Sequence, residues 1–276
     1  MMQSNNPVFR RSEEFSRAGA TYQGYGQNPY QGDPGMPGVD GPITHTTPDR
    51  MTIDTVVQKG AITLGLVLVT AFATWILTPN VEAGADLGTL YLASMGGAGL
   101  AFVLSLVNSF KREISPALVL AFAAAEGVAL GGISKIFQAF AGDSPIVIHA
   151  VLGTFAAFAG TLAVYKFFNI QVGDKFRTMV TAGMFGMVGL GLMEMVLSMF
   201  NADLGLFGMG GLGLLFAVAG LVLGVFMLVM DFDFIERGVA NGLPEKESWR
   251  AVFALTVSLV WIYTNLLRIL AIMNQD

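Results

Sequence analysis

Several ionisable side chains lie within or at the ends of long apolar runs, where charge is costly and needs a partner, water or a function. The residues concerned are Glu126, Glu194, Asp231, Asp233 and Arg268. Carboxylates with one arginine in such runs suit the passage of cations or protons better than hydrolysis. We therefore interpret these residues as candidates for an ion pathway or its gate.

Each of the two glutamates also has a structural interpretation. Glu126, in FAAAEGVALGG, lies about ten residues from either end of its run, hence near the middle of a bilayer. It is either a protonated or hydrogen-bonded packing carboxyl or a group that handles ions, and the sequence leaves both open. Glu194, in GLMEMVLSMF, lies about two helical turns from the end of its run and can reach water. A structural role is the favoured interpretation for Glu194.

The other three residues lie in the last two apolar runs. Asp231 and Asp233, in LVMDFDFI, point about 200° apart on a helix, so we expect one to face the protein and the other the solvent. The structural alternative is a stop-transfer cluster of charges that includes Glu236 and Arg237. Arg268 either extends towards the membrane surface or pairs with a buried carboxylate.

The motifs of soluble enzymes and binding proteins are missing from the sequence. The absence of cysteine excludes disulfides and thiolate chemistry. No Ser-His-Asp, His-Glu-x-x-His or P-loop pattern is present, so we predict no enzyme and no cofactor. GMGGLG at 208–213 fits a dinucleotide fingerprint, but it lies at the start of an apolar run rather than in a βαβ unit. Basic tracts with interleaved aromatic residues are also absent, which excludes nucleic acid as a partner.

The composition indicates a polytopic membrane protein with the lipid bilayer as its environment. Hydrophobic residues make up 54% of the chain and charged residues 13%, with a mean hydropathy of +0.62, whereas a soluble domain has about 25% charged residues. Runs of helix-spanning length predict an all-α bundle of seven transmembrane helices. The runs lie near 60–78, 87–109, 116–138, 145–167, 177–200, 206–230 and 250–273.

Two features outside the runs complete the organisation. Residues 1–50 are rich in Asn, Gln, Gly and Pro, which predicts a disordered cytoplasmic tail ahead of a transmembrane domain at 51–276. Lys and Arg are concentrated in that tail and in every second loop, so the N-terminus is predicted to be cytoplasmic and the C-terminus outside. Lys135 breaks this pattern and is expected to extend to the interface. Gly127-xxx-Gly131 and Gly220-xxx-Gly224 are interpreted as packing contacts within the chain.

Several segments together resemble the Bax inhibitor-1 family, in its bacterial branch with a long N-terminal tail. They are NPVFRR, DRMTIDTVVQKG, SPALVLAFAAAEGVALGGIS, VFMLVMDFDFIERGV and LVWIYTNLLRILAIM. The resemblance implies a bundle with a central seventh helix, in the plasma membrane of a bacterium. It also implies a pH-sensitive calcium leak, as in members where that activity has been assigned.

The resemblance carries over to particular residues unevenly. Asp231 matches an aspartate that ends helix 6 in the calcium-leak members, which makes it a candidate transient calcium ligand. Its partner aspartate in helix 7 falls at Ser258 here, and a further acidic residue in helix 2 falls near Ala98. Two carboxylates that repel one another give a paired site its pH sensitivity. A lone Asp231 is therefore expected to have a different pH switch or none.

Two classes of function are compatible with the sequence. The first is a cation leak, calcium by resemblance, with gating that depends on carboxylates. The second is a regulatory scaffold that binds a membrane protease or stress factor without transport. The scaffold would depend on the charged segment 234–250 and be indifferent to Glu126, whereas the leak would depend on Asp231 or Glu126.

Overall fold

The computed structural model describes residues 50–82, 86–168, 170 and 172–274 and confirms the all-α architecture. Seven helices in these residues are long and apolar enough to cross a membrane. They are α1 (Ile53–Leu77), α2 (Gly88–Phe110), α3 (Pro116–Phe140), α4 (Ile146–Phe167), α5 (Asp174–Ser198), α6 (Gly211–Ala240) and α7 (Glu247–Met273). Residues 1–49 of the predicted tail lie outside the described residues.

Two helices differ from their predicted runs in ways that matter for the site. α1 begins at Ile53 because Thr52 and Thr55 form a capping box, which starts the helix before the apolar run. α6 begins at Gly211 and continues to Ala240, past both aspartates. The sixth run was therefore placed too early in the chain, because apolar content alone does not distinguish the loop before α6 from the helix.

The loops at the two ends of the bundle differ in charge, which defines a basic end and an acidic end. The basic end comprises the start of α1 and the α2–α3, α4–α5 and α6–α7 connections. The acidic end comprises the α1–α2, α3–α4 and α5–α6 connections and the end of α7. At the basic end, the backbone N–H of Met51 donates to the Leu243 carbonyl at 2.7 Å, and Lys59 pairs with Glu245 at 2.7 Å. Arg50, the last residue of the predicted tail, forms an antiparallel bridge with Pro244.

α7 occupies the central position expected for the seventh helix. It packs against α1, α3, α4 and α6, while α2 packs on α3 and α5 on α6. α3 is also central. In its apolar 18-residue stretch, 56% of the residues are buried inside the protein, compared with 44% for α7. The described bundle thus has two interior helices, and the candidate residues Glu126, Ser258 and Arg268 lie on them.

Small residues bring these helices into close contact, as the two Gly-xxx-Gly spacings predict. A Cβ on Gly127 or Gly131 would lie 2.3 Å from the backbone oxygen of Val67 or Ala71 on α1. A Cβ on Gly220 would lie 2.3 Å from the Asn265 side chain on α7. Only glycine permits these approaches, so both spacings serve packing within the chain.

Candidate functional site

The structure brings Asp231 of α6 and Ser258 of α7 together in the interior of the bundle. The Ser258 hydroxyl donates to Asp231 Oδ2 at 2.6 Å. Asp231 lies nine residues before the end of α6 (240 − 231), and Ser258 eleven residues after the start of α7 (258 − 247). At about 1.5 Å per residue, the bond lies roughly 14–17 Å from those helix ends. Asp231 is thus well inside its helix, rather than at its end.

The surroundings of this bond are apolar. Leu228, Phe232, Leu259 and Ile262, the neighbours of Asp231 and Ser258 along the two helices, belong to one buried cluster. Among the described residues, Asp231 has no ion pair and no hydrogen bond besides that from Ser258. The site therefore consists of one carboxylate and one neutral hydroxyl donor, with no cation to compensate the carboxylate.

Glu126 lies on the interior helix α3 but is not joined to Asp231. It is half-buried, one turn after Phe122, whose ring packs edge-on against Phe253 of α7 at 5.0 Å. No hydrogen bond or ion pair reaches Glu126 from the described part of the chain. The structure places it in the membrane span as a carboxyl without a protein partner, which distinguishes it from every other candidate.

Asp233 forms a separate cluster of charges that ties α5 to α6. Its carboxylate accepts from the Arg177 guanidinium on α5 and from Arg237 Nε at 2.9 Å. Arg237 also donates to the Val172 carbonyl at 3.1 Å. The expectation that one aspartate faces solvent is wrong, because Asp233 is only 5% exposed and Asp231 contacts Ser258 on the interior helix α7. Arg177 and Arg237 compensate the buried Asp233, whereas Asp231 is held, among the described residues, by Ser258 alone.

Two members of this cluster were not identified from the sequence. Arg177 was interpreted only as a basic loop charge, and Tyr165 was not singled out. The Tyr165 hydroxyl donates to Glu236 Oε2 at 2.5 Å. A polar cavity of about 460 Å³ lies beside Asp233, Glu236 and Arg237. The sequence around Tyr165 and Arg177 carries no signal for these contacts, because each depends on the packing of a different helix against α6.

Arg268 and Glu194 hold the loop between α5 and α6 at the acidic end. Arg268 Nη2 donates to the carbonyls of Leu206 and Gly208, the latter at 3.0 Å. The Glu194 carboxylate accepts the backbone N–H groups of Leu204 and Leu206, each at 2.9 Å. The two buried charges thus satisfy opposite polar groups of one loop.

Both expectations for these residues need correction. Arg268 is 8% exposed and bonds to backbone carbonyls, so it neither extends to the surface nor makes an ion pair within 4 Å with a described carboxylate. Its guanidinium carbon lies 5.6 Å from the centre of the Phe207 ring. Glu194 is 4% exposed and does not reach water. Sequence distance from a helix end overestimates exposure here because the loop folds back over the bundle.

Lys135 also differs from its predicted position. It is 7% exposed, and its Nζ donates to the carbonyls of Trp75 at 2.7 Å and Thr78 at 2.5 Å. These carbonyls lie in the last turn of α1 and at its C-cap, where the helix dipole favours a cation. Lys135 therefore caps α1 instead of extending to the interface.

Comparison with protein families agrees with the resemblance noted in the sequence. The model of the family described as Bax inhibitor 1 like matches residues 6–275. The chain belongs to the Bax inhibitor 1-like family. It is accordingly a multi-pass membrane protein, with seven spans among the residues that the structure describes. A comparison with curated proteins returned no match.

Proposed function

We propose that this Bax inhibitor 1-like protein passes cations across a membrane, calcium by analogy with the family, and that Asp231 and Ser258 form its gate. The observation that supports the proposal is the Ser258–Asp231 hydrogen bond of 2.6 Å between α6 and α7. A carboxylate inside a membrane span with one neutral donor is costly unless it serves an ion. The membrane is proposed to be the plasma membrane of a bacterium, with the N-terminus in the cytoplasm.

The ligands at the gate suit passage rather than storage of an ion. In the part of the chain that the structure describes, no group of three or more His, Cys, Asp or Glu residues could hold a metal. Calcium takes about six to eight oxygen ligands. The Asp231 carboxylate and the Ser258 hydroxyl supply few of these, so an ion there keeps much of its water and leaves readily.

The gate works by exchange of one donor for a cation. In the closed arrangement, the Ser258 hydroxyl occupies Asp231 Oδ2. An arriving cation competes with that hydroxyl for the carboxylate and receives the hydroxyl oxygen as a second ligand. α6 and α7 then lose their hydrogen bond at this level, which allows them to separate.

A gate with one carboxylate and one hydroxyl should respond to pH differently from a gate with two carboxylates. Paired carboxylates at short range share a proton and titrate together. Asp231 has a serine where leak members of the family are expected to have a second aspartate, so no such coupling operates at this position. We expect flux to depend on the presence of Asp231 and to lack the steep pH dependence of a coupled pair.

The proposal is tested by calcium uptake into liposomes that contain the purified protein. Uptake is measured from about pH 5 to pH 8 to detect any coupled titration. Wild type is compared with Asp231→Asn and Glu126→Gln. The proposal predicts uptake above that of empty liposomes and its loss in Asp231→Asn. Unchanged uptake in Asp231→Asn at every pH would exclude Asp231 as the gate. No uptake by wild type would favour the scaffold function. In that case the charged segment 234–250, which contacts residues 50–59 of the same chain, would be the surface to examine for a partner.

A further inference from the structure

A groove of about 600 Å³ opens on the side of the bundle between α1 and α4. Its walls carry Leu68 and Phe72 from α1 and Ile148 and Phe155 from α4, and these side chains are 48–67% exposed. Leu130 of α3 and Val260 of α7 form its floor. Because all four helices are membrane spans, the exposed mouth of the groove faces lipid.

The groove is a fixed feature of the packing. Gly131 holds α1 against α3, since a Cβ there would lie 2.3 Å from the Ala71 carbonyl oxygen. Gly153 holds α4 near α7, where a Cβ would lie 3.2 Å from Leu266 Cδ1. These two contacts seat α1 and α4 on different interior helices, so the space between them remains open.

The length of the groove along the helix axes matches the thickness of one leaflet of a bilayer. Its lining on α1 runs from Leu64 to Trp75, eleven residues or about 17 Å of helix. The hydrocarbon core of a bilayer is about 30 Å thick, so this is about half of it. The lining residues belong to the halves of α1, α3 and α4 nearer the acidic end, which places the groove in the leaflet on that side.

The polar groups of the groove are arranged along its length. In its middle, Ser134 and the Tyr263 hydroxyl lie 2.6 Å apart and satisfy one another, and Thr154 donates to the Ala150 carbonyl at 2.8 Å. These groups need no polar ligand. At the rim lies Asp143, which is exposed and has no hydrogen bond or ion pair with any described residue. The groove is therefore apolar inside and carries an available carboxylate where lipid headgroups lie.

We infer that the groove binds one acyl chain of phosphatidylethanolamine, with the lipid ammonium group at Asp143. The chain has direct access from the bilayer, and the depth and apolar lining suit an acyl chain in one leaflet. The single carboxylate at the rim complements a cationic ammonium and disfavours the anionic headgroup of phosphatidylglycerol. The inference does not depend on ion passage, because it rests on the lipid-facing opening between α1 and α4 and on Asp143, and none of these takes part in the Asp231–Ser258 bond.

Trp75 provides a direct probe, since it lines the groove and is half-buried. Phosphatidylethanolamine with brominated acyl chains is titrated into delipidated, full-length protein in detergent, and tryptophan fluorescence is recorded. We expect quenching that saturates and that disappears in Trp75→Phe. Quenching that rises without saturation would indicate ordinary contact with the lipid-facing surface and would overturn the inference.

Substitutions at two neighbouring positions distinguish binding in the groove from contact with the rest of the lipid-facing surface. Val151→Phe fills the groove, whereas Leu152→Phe adds a ring on the exposed face of the same helix. We expect lipid binding to be about tenfold weaker in Val151→Phe, equal to about 1.4 kcal/mol. Leu152→Phe should bind the lipid with the same affinity as wild type. Val147→Phe, also in the groove, replaces Val151→Phe if that variant unfolds. Equal affinity in both groove and control variants would contradict the inference.

The headgroup assignment is tested with brominated phosphatidylglycerol. Wild type is expected to bind phosphatidylethanolamine more tightly, and Asp143→Asn is expected to remove that preference. A preference that persists in Asp143→Asn would overturn the assignment of the ammonium group to Asp143.

Discussion

Two regions of the bundle, the α5–α6 loop contacts at the acidic end and the Asp231–Ser258 pair in the interior, compensate their carboxylates in opposite ways. At the acidic end, Glu194 and Arg268 are both buried, and each bonds to backbone groups of the α5–α6 loop. In the interior, Asp231 has one bond from the neutral Ser258 hydroxyl. The first arrangement fixes a loop with several charge-assisted bonds, whereas the second depends on one bond that an ion can replace. The difference separates the contacts that fix the loop from the proposed gate, which lie at different levels of the same helix α7.

Removal of Arg268 should have the largest effect on stability. Arg268→Met keeps an apolar stem but removes the donor to two loop carbonyls and the positive charge near the buried Glu194. Hydrogen bonds that involve a charged group contribute about 1.5–3 kcal/mol each, so the loss of two costs about 3–6 kcal/mol. Thermal unfolding in detergent measures the loss, with Lys175→Met as a control because Lys175 is exposed. Equal unfolding temperatures for the two variants would contradict a stabilising role for the loop contacts.

Glu194→Gln should have a smaller effect in the same assay. The amide still offers one oxygen to the N–H groups of Leu204 and Leu206 but loses the charge near Arg268. Hydrogen bonds to charged groups contribute about 1.5–3 kcal/mol, so we expect a loss of stability in that range. Limited proteolysis within 199–210 should accelerate in parallel. Faster unfolding without faster cleavage of this loop would indicate that Glu194 acts elsewhere.

Ser258→Ala should change stability little in comparison. The bond to Asp231 is one hydrogen bond to a charged group, so its loss costs about 1.5–3 kcal/mol, less than the loss of both Arg268 bonds. Ser105→Ala is the matched control, because Ser105 bonds to the Phe102 carbonyl on the exposed face of α2. A loss in Ser258→Ala as large as that in Arg268→Met would remove the distinction between the two regions.

The smallest expected effect is the coupling between the regions. Ser258 and Arg268 lie ten residues apart on α7 (268 − 258), which is about 15 Å along the helix. Changes at such distances usually add within about 0.5 kcal/mol. The stability change of the Glu194→Gln, Ser258→Ala double variant should therefore equal the sum of the single changes. A larger coupling energy would show that the loop at the acidic end and the gate form one unit.

Much of the fold followed from the sequence, because span length and apolar content are local properties. The seven helices and both Gly-xxx-Gly contacts were predicted. The orientation of Asp233 and the burial of Glu194 were not, because each depends on a partner from another helix or a folded loop. Arg177 lies 56 residues from Asp233 in sequence, and no spacing rule connects them. Family resemblance indicated Ser258 as the partner position of Asp231, which periodicity alone could not.

The position of Asp231 within its helix shows the same limit. The apolar run ends at Met230, so the sequence placed Asp231 at a helix end, whereas α6 continues to Ala240. The residues beyond Met230 remain helical because Arg177 and Arg237 compensate Asp233 and Tyr165 bonds to Glu236. An ion pair within α6, an ion pair to α5 and a hydrogen bond from α4 thus stabilise the extended helix, which places the candidate gate in the interior.

Calcium flux in two variants with opposite expected signs tests the central claim most directly. Ser258→Ala removes the closing bond and should raise uptake into liposomes, whereas Asp231→Asn removes the charged ligand and should lower it. Ser105→Ala should match wild type. Equal flux in all four proteins would contradict the assignment of the Asp231–Ser258 bond as the gate.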